Sequence, residues 1–195
     1  MPHYFTKDND HLESEKKTIW FVIHEREFRM TTDKGVFSKS GLDFGTRTLL
    51  ETVTIPAGAE VLDLGCGFGA IGVVCAVLFA ARVTMTDVNE RAVLLAKANA
   101  EANHVVATVV SGDGLENVPG LFDVILTNPP IRAGKAVLYR LFREAADHLL
   151  PEGRFILVIN QKQGAPSAIA ELQTIYRIVE TIGKKSGYCV VSCRK

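Results

Sequence analysis

The chain has 195 residues, 47% of them hydrophobic and 23% charged, an ordinary composition for one globular domain with a continuous core. Its 22 basic and 22 acidic residues cancel to a formal net charge of zero, so any contact with nucleic acid must come from a local patch. No apolar run reaches the roughly 20 residues that cross a bilayer, no signal-peptide core is present, and the four cysteines lack zinc-site spacing. We therefore expect a cytoplasmic protein with no metal and no membrane partner.

Two runs near the N-terminus predict a β-hairpin. Residues 18–24 are rich in β-branched and aromatic side chains, and residues 27–32 alternate between apolar and polar types. Residues 25–26 lie between the two runs and could form the turn. The polar, charge-mixed residues before the hairpin are expected to extend or fray.

A structured loop over residues 35–46 is predicted to lead from the hairpin into a helix over residues 46–54. The first N–H groups of a helix have no partner within the helix and need an acceptor. Asp43 and Thr46 are both candidates for this cap, since short side chains with an oxygen are preferred there.

Strands and helices alternate strictly from residue 58, which predicts a mainly parallel sheet covered by helices on both faces. The predicted parallel strands cover residues 60–64, 82–86, 105–110, 122–127 and 154–160. The predicted helices cover residues 69–80, 89–103, 135–150 and 165–174. Pro151-Glu152-Gly153 is expected to stop the third of these helices. Two last strands, over residues 176–183 and 186–193, face each other across a short turn and predict an antiparallel edge.

The most informative segment is Val61–Ala70, in which a short apolar strand runs into a glycine-rich turn and then a helix. Glycines at 65, 67 and 69 allow positive φ and a close approach of backbone to a ligand. Dinucleotide sites space their glycines as G-x-G-x-x-G and place a pyrophosphate on the helix N-terminus. Here the spacing is G-x-G-x-G, and Asp63 precedes it. That carboxylate would repel a pyrophosphate and favour a ligand with positive charge, as on the sulfonium and ammonium groups of S-adenosylmethionine.

Acidic residues follow the next two strands of the predicted sheet. Asp87 ends the strand over 82–86, where a carboxylate can accept both hydroxyls of a ribose; its alternative role is at the N-terminus of the following helix. Asp113 lies in a Gly-Asp-Gly turn after the third strand, and by itself such a turn is common. Because parallel strands end at one edge of the sheet, both would face the crevice beside the glycine loop.

Asn128-Pro129-Pro130 at the end of the fourth strand is the second strong signal. An exocyclic amine is a poor nucleophile because its lone pair is delocalised into the base. The Asn128 side-chain oxygen and the Pro129 carbonyl could each accept one N–H of such an amine, which would aim its lone pair at a methyl donor. The prolines would stiffen these acceptors. The alternative is a proline turn capped by asparagine.

Together, the glycine loop and Asn-Pro-Pro resemble motifs I and IV of the class I S-adenosylmethionine-dependent methyltransferases. The continuation Ile131–Lys135, with residues 35–38 and 41–46, is similar to small single-domain relatives of the ribosomal RNA guanine-N2 methyltransferases that act on the small subunit. The resemblance covers essentially the whole chain. It implies an α/β fold, a doubly wound seven-stranded, mostly parallel sheet with an antiparallel edge strand and an N-terminal hairpin.

The resemblance also implies roles for individual residues. The segment from Phe37 to Thr46 would close the methionine end of the site, within an N-terminal part over 1–45 that covers a catalytic core over 46–195 in one domain, 1–195. The implied catalytic residues are Asn128, Pro129 and Pro130. The implied cofactor-binding residues are Phe37, Asp43, Gly45, Thr46, Asp63, Gly65, Cys66, Gly67, Gly69, Asp87, Val88, Asp113, Gly114 and Asn128. The implied substrate contacts are Ile131, Arg132 and Lys135, with Arg132 and Lys135 on RNA phosphates or, alternatively, in a solvated helical turn.

One position departs from this family's pattern. An aromatic residue usually follows the prolines and stacks on the base, whereas Ile131 follows them here. Stacking must then come from elsewhere, with Phe37 and Phe44 as candidates. The preferred target is an exocyclic amino group of RNA, guanine N2 of small-subunit ribosomal RNA, in free RNA or in the small ribosomal subunit. The alternatives are a glutamine side chain of a protein, adenine N6, a nicotinamide oxidoreductase and a non-catalytic cofactor-binding module.

Overall fold

The computed structural model describes residues 13–38 and 41–195. The strands are β1 (Lys17–Ile23), β2 (Arg26–Thr32), β3 (Glu60–Leu64), β4 (Arg82–Asp87), β5 (Ala107–Ser111), β6 (Phe122–Thr127), β7 (Leu149–Asn160), β8 (Ile178–Lys185) and β9 (Tyr188–Arg194). The helices are α1 (Phe44–Thr52), α2 (Ala70–Phe79), α3 (Glu90–Ala102), α4 (Lys135–Asp147) and α5 (Ala165–Ile175), with a 3-10 turn at Ile131–Ala133. Within the described ranges, no helix has the length and apolarity that spanning a membrane requires. The polar start predicted to fray falls largely on residues 1–12, which lie outside them.

Seven strands form one sheet in the order β5-β4-β3-β6-β7-β9-β8. The first five of these pair in parallel, and β9 runs antiparallel to both of its neighbours, β7 and β8. The predicted doubly wound, mostly parallel sheet with an antiparallel edge is therefore confirmed. The chain reverses its direction across the sheet after β5, so β3 and β6 become neighbours, and a crevice opens where their following loops diverge.

An apolar core lies on each face of the sheet, and successive residues of a strand point into one core and then the other. Val124 and Leu126 of β6 pack on the face covered by α1, α2 and α3, while Ile125 packs on the opposite face beneath α4 and α5. All three side chains are almost completely buried. This burial on both faces explains why the parallel strands are apolar runs rather than alternating ones.

The predicted hairpin is present as β1 and β2, and its inner face joins the layer formed by α1 to α3. Asn99 of α3 fastens it: its side chain accepts from Thr31 N at 2.7 Å and donates to Thr31 O at 2.8 Å. The same amide donates to Phe68 O at 2.8 Å. One buried residue therefore links the hairpin to the glycine loop, which sets how the N-terminal part lies over the site.

Two predicted turns are displaced in the structure. The hairpin turns at His24 and Glu25, both with positive φ, rather than at residues 25–26, because this backbone twist matches the flanking strands. Helix α4 ends at Asp147, and residues 151–153 lie inside β7 rather than before it. They occupy an irregularity in the pairing of β7 with β6, and a bulge tolerates a proline that has no N–H to donate.

Candidate active site

The loops after β3, β4, β5 and β6 meet at one edge of the sheet and enclose a cavity of about 380 Å³. That volume falls within the range of small-molecule and cofactor sites. Thirteen residues predicted to form the site line it: Phe37, Asp43, Gly65, Gly67, Asp87, Val88, Asp113, Gly114, Asn128, Pro129, Pro130, Ile131 and Arg132. The motifs recognised separately in the sequence therefore converge on one cavity.

The glycine loop forms the floor of this cavity. Gly65 and Cys66 donate their N–H groups to Thr86 O, both at 2.9 Å, which fixes the loop to β4. Gly65 has φ +71, and a Cβ placed there would meet no atom within 4 Å. A ligand can therefore come close to the backbone at this point. Gly69 lies outside the cavity wall; it precedes α2, and a Cβ there would lie 3.1 Å from the Ala96 Cα.

Asp87 is held rigidly at the end of β4. Its Oδ2 accepts from Gly67 N at 2.8 Å, and its Oδ1 accepts from Asn89 N at 2.9 Å. Burial raises the pKa of Asp87, and the N–H groups that donate to it oppose this shift. An ionised carboxylate has about four acceptor sites, so both oxygens keep capacity for a diol. The alternative helix-capping role belongs to Asn89, whose side chain accepts from Arg91 N and Ala92 N.

The loop after β5 forms the far end of the cavity, and α4 positions it. Arg140 donates to Asp113 Oδ1 at 2.6 Å and to Glu144 Oε1 at 2.7 Å. Glu144 Oε2 in turn accepts from Leu115 N at 3.1 Å. The Asp113 side chain is 61% exposed, and its pairing with Arg140 leaves Oδ2 open to a ligand.

Asn128 has its side-chain orientation fixed by two acceptors. Its Nδ2 donates to Asp43 Oδ2 and to Thr46 Oγ1, both at 3.0 Å. An ionised carboxylate can only accept, so the nitrogen must face Asp43 and the oxygen must face away from it. No hydrogen bond from residues 13–38 or 41–195 reaches Asn128 Oδ1, and Asn128 lines the cavity. The result is one oriented acceptor at the end of β6.

The two prolines of the motif lead into the 3-10 turn at Ile131–Ala133. The Pro129 carbonyl accepts from Ile131 N at 2.9 Å, and the Pro130 carbonyl accepts from Ala133 N at 2.9 Å. A carbonyl oxygen has two lone pairs, so Pro129 retains one for a second donor. The sequence had predicted helix only from Lys135 onward. The 3-10 turn is what brings Ile131 and Arg132 to the cavity wall, whereas Lys135 begins α4 outside it.

Asp43 caps α1 by accepting from Thr46 N at 3.1 Å, which decides between the two predicted caps. Gly45 lies outside the cavity wall and serves packing instead. A Cβ there would be 2.9 Å from Asp43 Oδ2 and 2.9 Å from Tyr188 Cε1. Thr46 and Cys66 line a side recess of about 30 Å³ that shares Asp43 and Asn128 with the main cavity.

Part of the predicted covering segment reaches the site. Asn89 Nδ2 donates to Gly35 O at 2.9 Å, and this bond helps place Val36 and Phe37 on the cavity wall. Residues 39 and 40 of that segment lie outside the described residues. Cavity residues that the motifs did not single out include Asn160, Gln163 and Tyr188. They carry no motif signal because they come from a strand end, a loop and the start of the last strand.

Asp63 does not line the cavity, in contrast to the ligand-facing position predicted for it. Its side chain is fully buried beneath the glycine loop, where Oδ2 accepts from Gly72 N at 2.9 Å. Oδ1 has no hydrogen-bond partner among the described residues. Burial raises the pKa of Asp63 to about 7; the bond from Gly72 N opposes the shift, and the charge of Asp87 adds to it. This carboxyl therefore fastens the loop to α2.

Asp63→Asn is expected to change how stability depends on pH. The pKa of Asp63 is raised from 3.8 to about 7 on folding, so the native state binds the extra proton between these values. The contribution of Asp63 to the free energy of unfolding is full below pH 3.8 and is lost as pH rises towards 7. Because one pKa unit corresponds to about 1.4 kcal/mol, the variant should gain a few kcal/mol relative to wild type between about pH 4 and 8. Chemical denaturation at several pH values measures this difference, and parallel curves would contradict it.

The fold and the cavity together define a class I methyltransferase: a sheet whose one reversed strand, β9, lies next to the edge strand β8, a glycine loop after β3, and acidic residues at the ends of β4 and β5. Residues 27–192 match the model of the methyltransferase small domain family, and the chain belongs to that family. This assignment confirms the predicted enzyme class and its S-adenosylmethionine cofactor.

Two named proteins are similar to this chain in sequence. The chain is 41% identical, over 100% of both chains, to the Bacillus subtilis protein called uncharacterized protein YbxB. It is 36% identical to the ribosomal RNA small subunit methyltransferase C of Mannheimia succiniciproducens, covering 80% of this chain and 49% of that protein.

A solved methyltransferase structure is also similar to this chain in fold. The T. thermophilus 16S rRNA N2 G1207 methyltransferase, in complex with AdoMet and guanosine, superposes with a TM-score of 0.84 at 29% identity. The match covers 94% of this chain and 52% of that one. The chain therefore spans about half the length of these methyltransferase relatives.

Proposed function

We propose that this protein transfers a methyl group from S-adenosylmethionine to the N2 amino group of guanine in small-subunit ribosomal RNA. The observation that carries the proposal is the fixed amide of Asn128, which presents an acceptor oxygen to the cavity. Two relatives, of whose length this chain covers about half, are named as ribosomal RNA methyltransferases, which supports ribosomal RNA as the substrate. The solved relative also contains guanosine.

The cavity suits the cofactor. S-adenosylmethionine supplies an electrophilic methyl group when it is bound. Gly65 and Gly67 leave backbone space for its methionine part, Asp87 offers acceptors to the ribose, and Asp113 Oδ2 offers one to the adenine amino group. Asp43 and Asn128 line both the main cavity and the side recess.

The target amine would be held by residues at the end of β6. Asn128 Oδ1 and the second lone pair of the Pro129 carbonyl each accept one N–H. This directs the nitrogen lone pair toward the glycine loop and stabilises the positive charge that develops on nitrogen. Asp43 and Thr46 act through Asn128, because their two bonds stop the amide from rotating.

Two cations beside this position are available for RNA. Arg132 and Lys135 are exposed, and neither forms an ion pair with a described residue. Arg132 also lines the cavity mouth. We expect both to contact phosphates that flank the target nucleotide.

Arg132→Ala and Lys135→Ala should raise the KM for RNA while leaving the affinity for S-adenosylhomocysteine unchanged. Each lost phosphate contact should reduce the slope of log affinity against log salt by about 0.7–0.9. Lys97→Ala is a matched control, since Lys97 is an exposed cation on α3. Equal salt slopes for the wild type and all three variants would contradict a contact between these two residues and RNA phosphates.

Labelled methyl transfer tests the proposal itself. The purified protein is incubated with labelled S-adenosylmethionine and, separately, ribosomal RNA, small ribosomal subunits and a translation release factor. We expect label in RNA or subunits and N2-methylguanosine on nucleoside analysis. Label on the release factor alone would favour a glutamine side chain as the substrate. Formation of N6-methyladenosine would be consistent with the role of Asn128 but would show that the target base is adenine.

A further inference from the structure

The order of strand ends along the sheet separates the cavity into two halves. Asp113 and Asp87 follow β5 and β4, the glycine loop follows β3, and Asn128 follows β6. The strands beyond β6 are β7 and then β9, each about 4.8 Å farther along. Cofactor groups occupy the β5-to-β3 side, so a base whose amine reaches Asn128 must lie toward β7 and β9.

Asn160 and Tyr188 stand at the ends of those two strands. They are partners in the antiparallel register of β7 and β9, both line the cavity, and both are partly exposed. We propose that they form the subsite for the target base: the Tyr188 ring stacks on the base, and the Asn160 amide donates to a base carbonyl oxygen. This rests on the function proposed above and extends it to recognition of the base.

The Tyr188 ring is fixed close to the reacting position. It contacts Phe44, with ring centroids 5.7 Å apart and planes at 44°. It also packs against Gly45, at the point where an added Cβ would be 2.9 Å from both Tyr188 Cε1 and Asp43 Oδ2. The ring is thus next to the carboxylate that holds Asn128. It can supply the aromatic surface that Ile131 lacks.

The other aromatic candidates are placed less favourably. Phe44 is 38% exposed and does not line the cavity; it supports Tyr188 instead. Phe37 lines the cavity but also the side recess beside Cys66 and Phe68, which puts it near the glycine loop and the cofactor half.

The hydrogen bonds of Asn160 determine which of its atoms is available. Its Oδ1 accepts from Lys162 N at 2.9 Å, which turns the oxygen toward the backbone of Lys162 and fixes the orientation of the amide, with the Nδ2 donor on its other side. No hydrogen bond from that Nδ2 to another described residue is present. Guanine carries the acceptor O6 on the same edge as its N2 amine. A fixed donor here is therefore complementary to O6 of a guanine whose N2 amine lies at Asn128.

Three variants test this subsite: Tyr188→Leu, Tyr188→Phe and Asn160→Asp. A base-stacking contact is worth roughly a 10- to 100-fold change in equilibrium, so Tyr188→Leu should lower kcat/KM for ribosomal RNA by about that factor. Tyr188→Phe should keep most of the activity that Tyr188→Leu loses, because the ring is retained. Asn160→Asp replaces the donor by an acceptor and should lower kcat/KM at least tenfold, roughly the effect of one lost base contact. Each protein should bind S-adenosylhomocysteine like wild type.

Ile131→Phe in the Tyr188→Leu background provides the rescue. An aromatic ring restored elsewhere on the cavity wall, which Ile131 also lines, should recover part of kcat/KM, and a purely structural role of Tyr188 would not allow this. Gln161→Ala is the matched control for Asn160, since Gln161 is exposed and outside the cavity wall.

The subsite is overturned if Tyr188→Leu and Asn160→Asp keep wild-type kcat/KM, or if they lose cofactor affinity as much as transfer. Failure of the proposed function is a different result, because the wild-type protein itself would then yield no N2-methylguanosine.

Discussion

Asn128→Ala is expected to lower the rate of methyl transfer by roughly 100- to 1,000-fold, the usual effect of removing one oriented transition-state acceptor. The structure makes this substitution informative, because Asp43 and Thr46 hold the amide nitrogen and leave the oxygen to the cavity. Single-turnover transfer to ribosomal RNA measures the rate. Calorimetry with S-adenosylhomocysteine should show nearly unchanged affinity.

Asn103→Ala is the matched control for this experiment. It also removes a side-chain amide, but one that donates to Arg29 O at 3.0 Å on the hairpin. Transfer by this variant should match wild type. Normal turnover by Asn128→Ala on the correct substrate would contradict the role of Asn128 as an acceptor for the target amine.

Asp87→Ala is expected to weaken cofactor binding about 5- to 150-fold, since hydrogen bonds to a charged, buried group contribute about 1–3 kcal/mol. The variant loses the ribose acceptor and also frees the N–H groups of Gly67 and Asn89, which lets the glycine loop relax. Calorimetry with S-adenosylmethionine measures the change.

Asp113→Ala provides the comparison. Its side chain is 61% exposed and paired with Arg140, so solvent screens its contribution and a smaller loss is expected. A smaller effect at Asp87 than at Asp113 would contradict the assignment of Asp87 to the ribose. Tight binding of NAD by the wild-type protein would contradict the nature of the cofactor.

The sequence predicted the sheet well because its signals are local. Apolar strands, the Asn89 cap and the glycine turn each depend on a few neighbouring residues. Their placement at one edge then follows from the rule that parallel strands end together. The convergence of Gly65, Asp87 and Asn128 on one cavity could therefore be predicted from chain order alone.

The errors and omissions arise from contacts distant in sequence. Asp63 was predicted to face the ligand, and only its bond to Gly72 N reveals a position beneath the loop. The bulge of β7 depends on its pairing with β6, which no local pattern encodes. Tyr188 lies close to Asp43, which holds Asn128, because β9 pairs with β7 and Gly45 has no side chain to keep the ring away.

The most direct test of the central proposal is mass spectrometry of nucleosides from small-subunit ribosomal RNA of a strain that lacks this gene. The proposed function predicts that one N2-methylguanosine is lost and that it returns when the wild-type protein, but not Asn128→Ala, is supplied. An unchanged N2-methylguanosine content, with a different methylated nucleoside or a methylated protein missing instead, would contradict it.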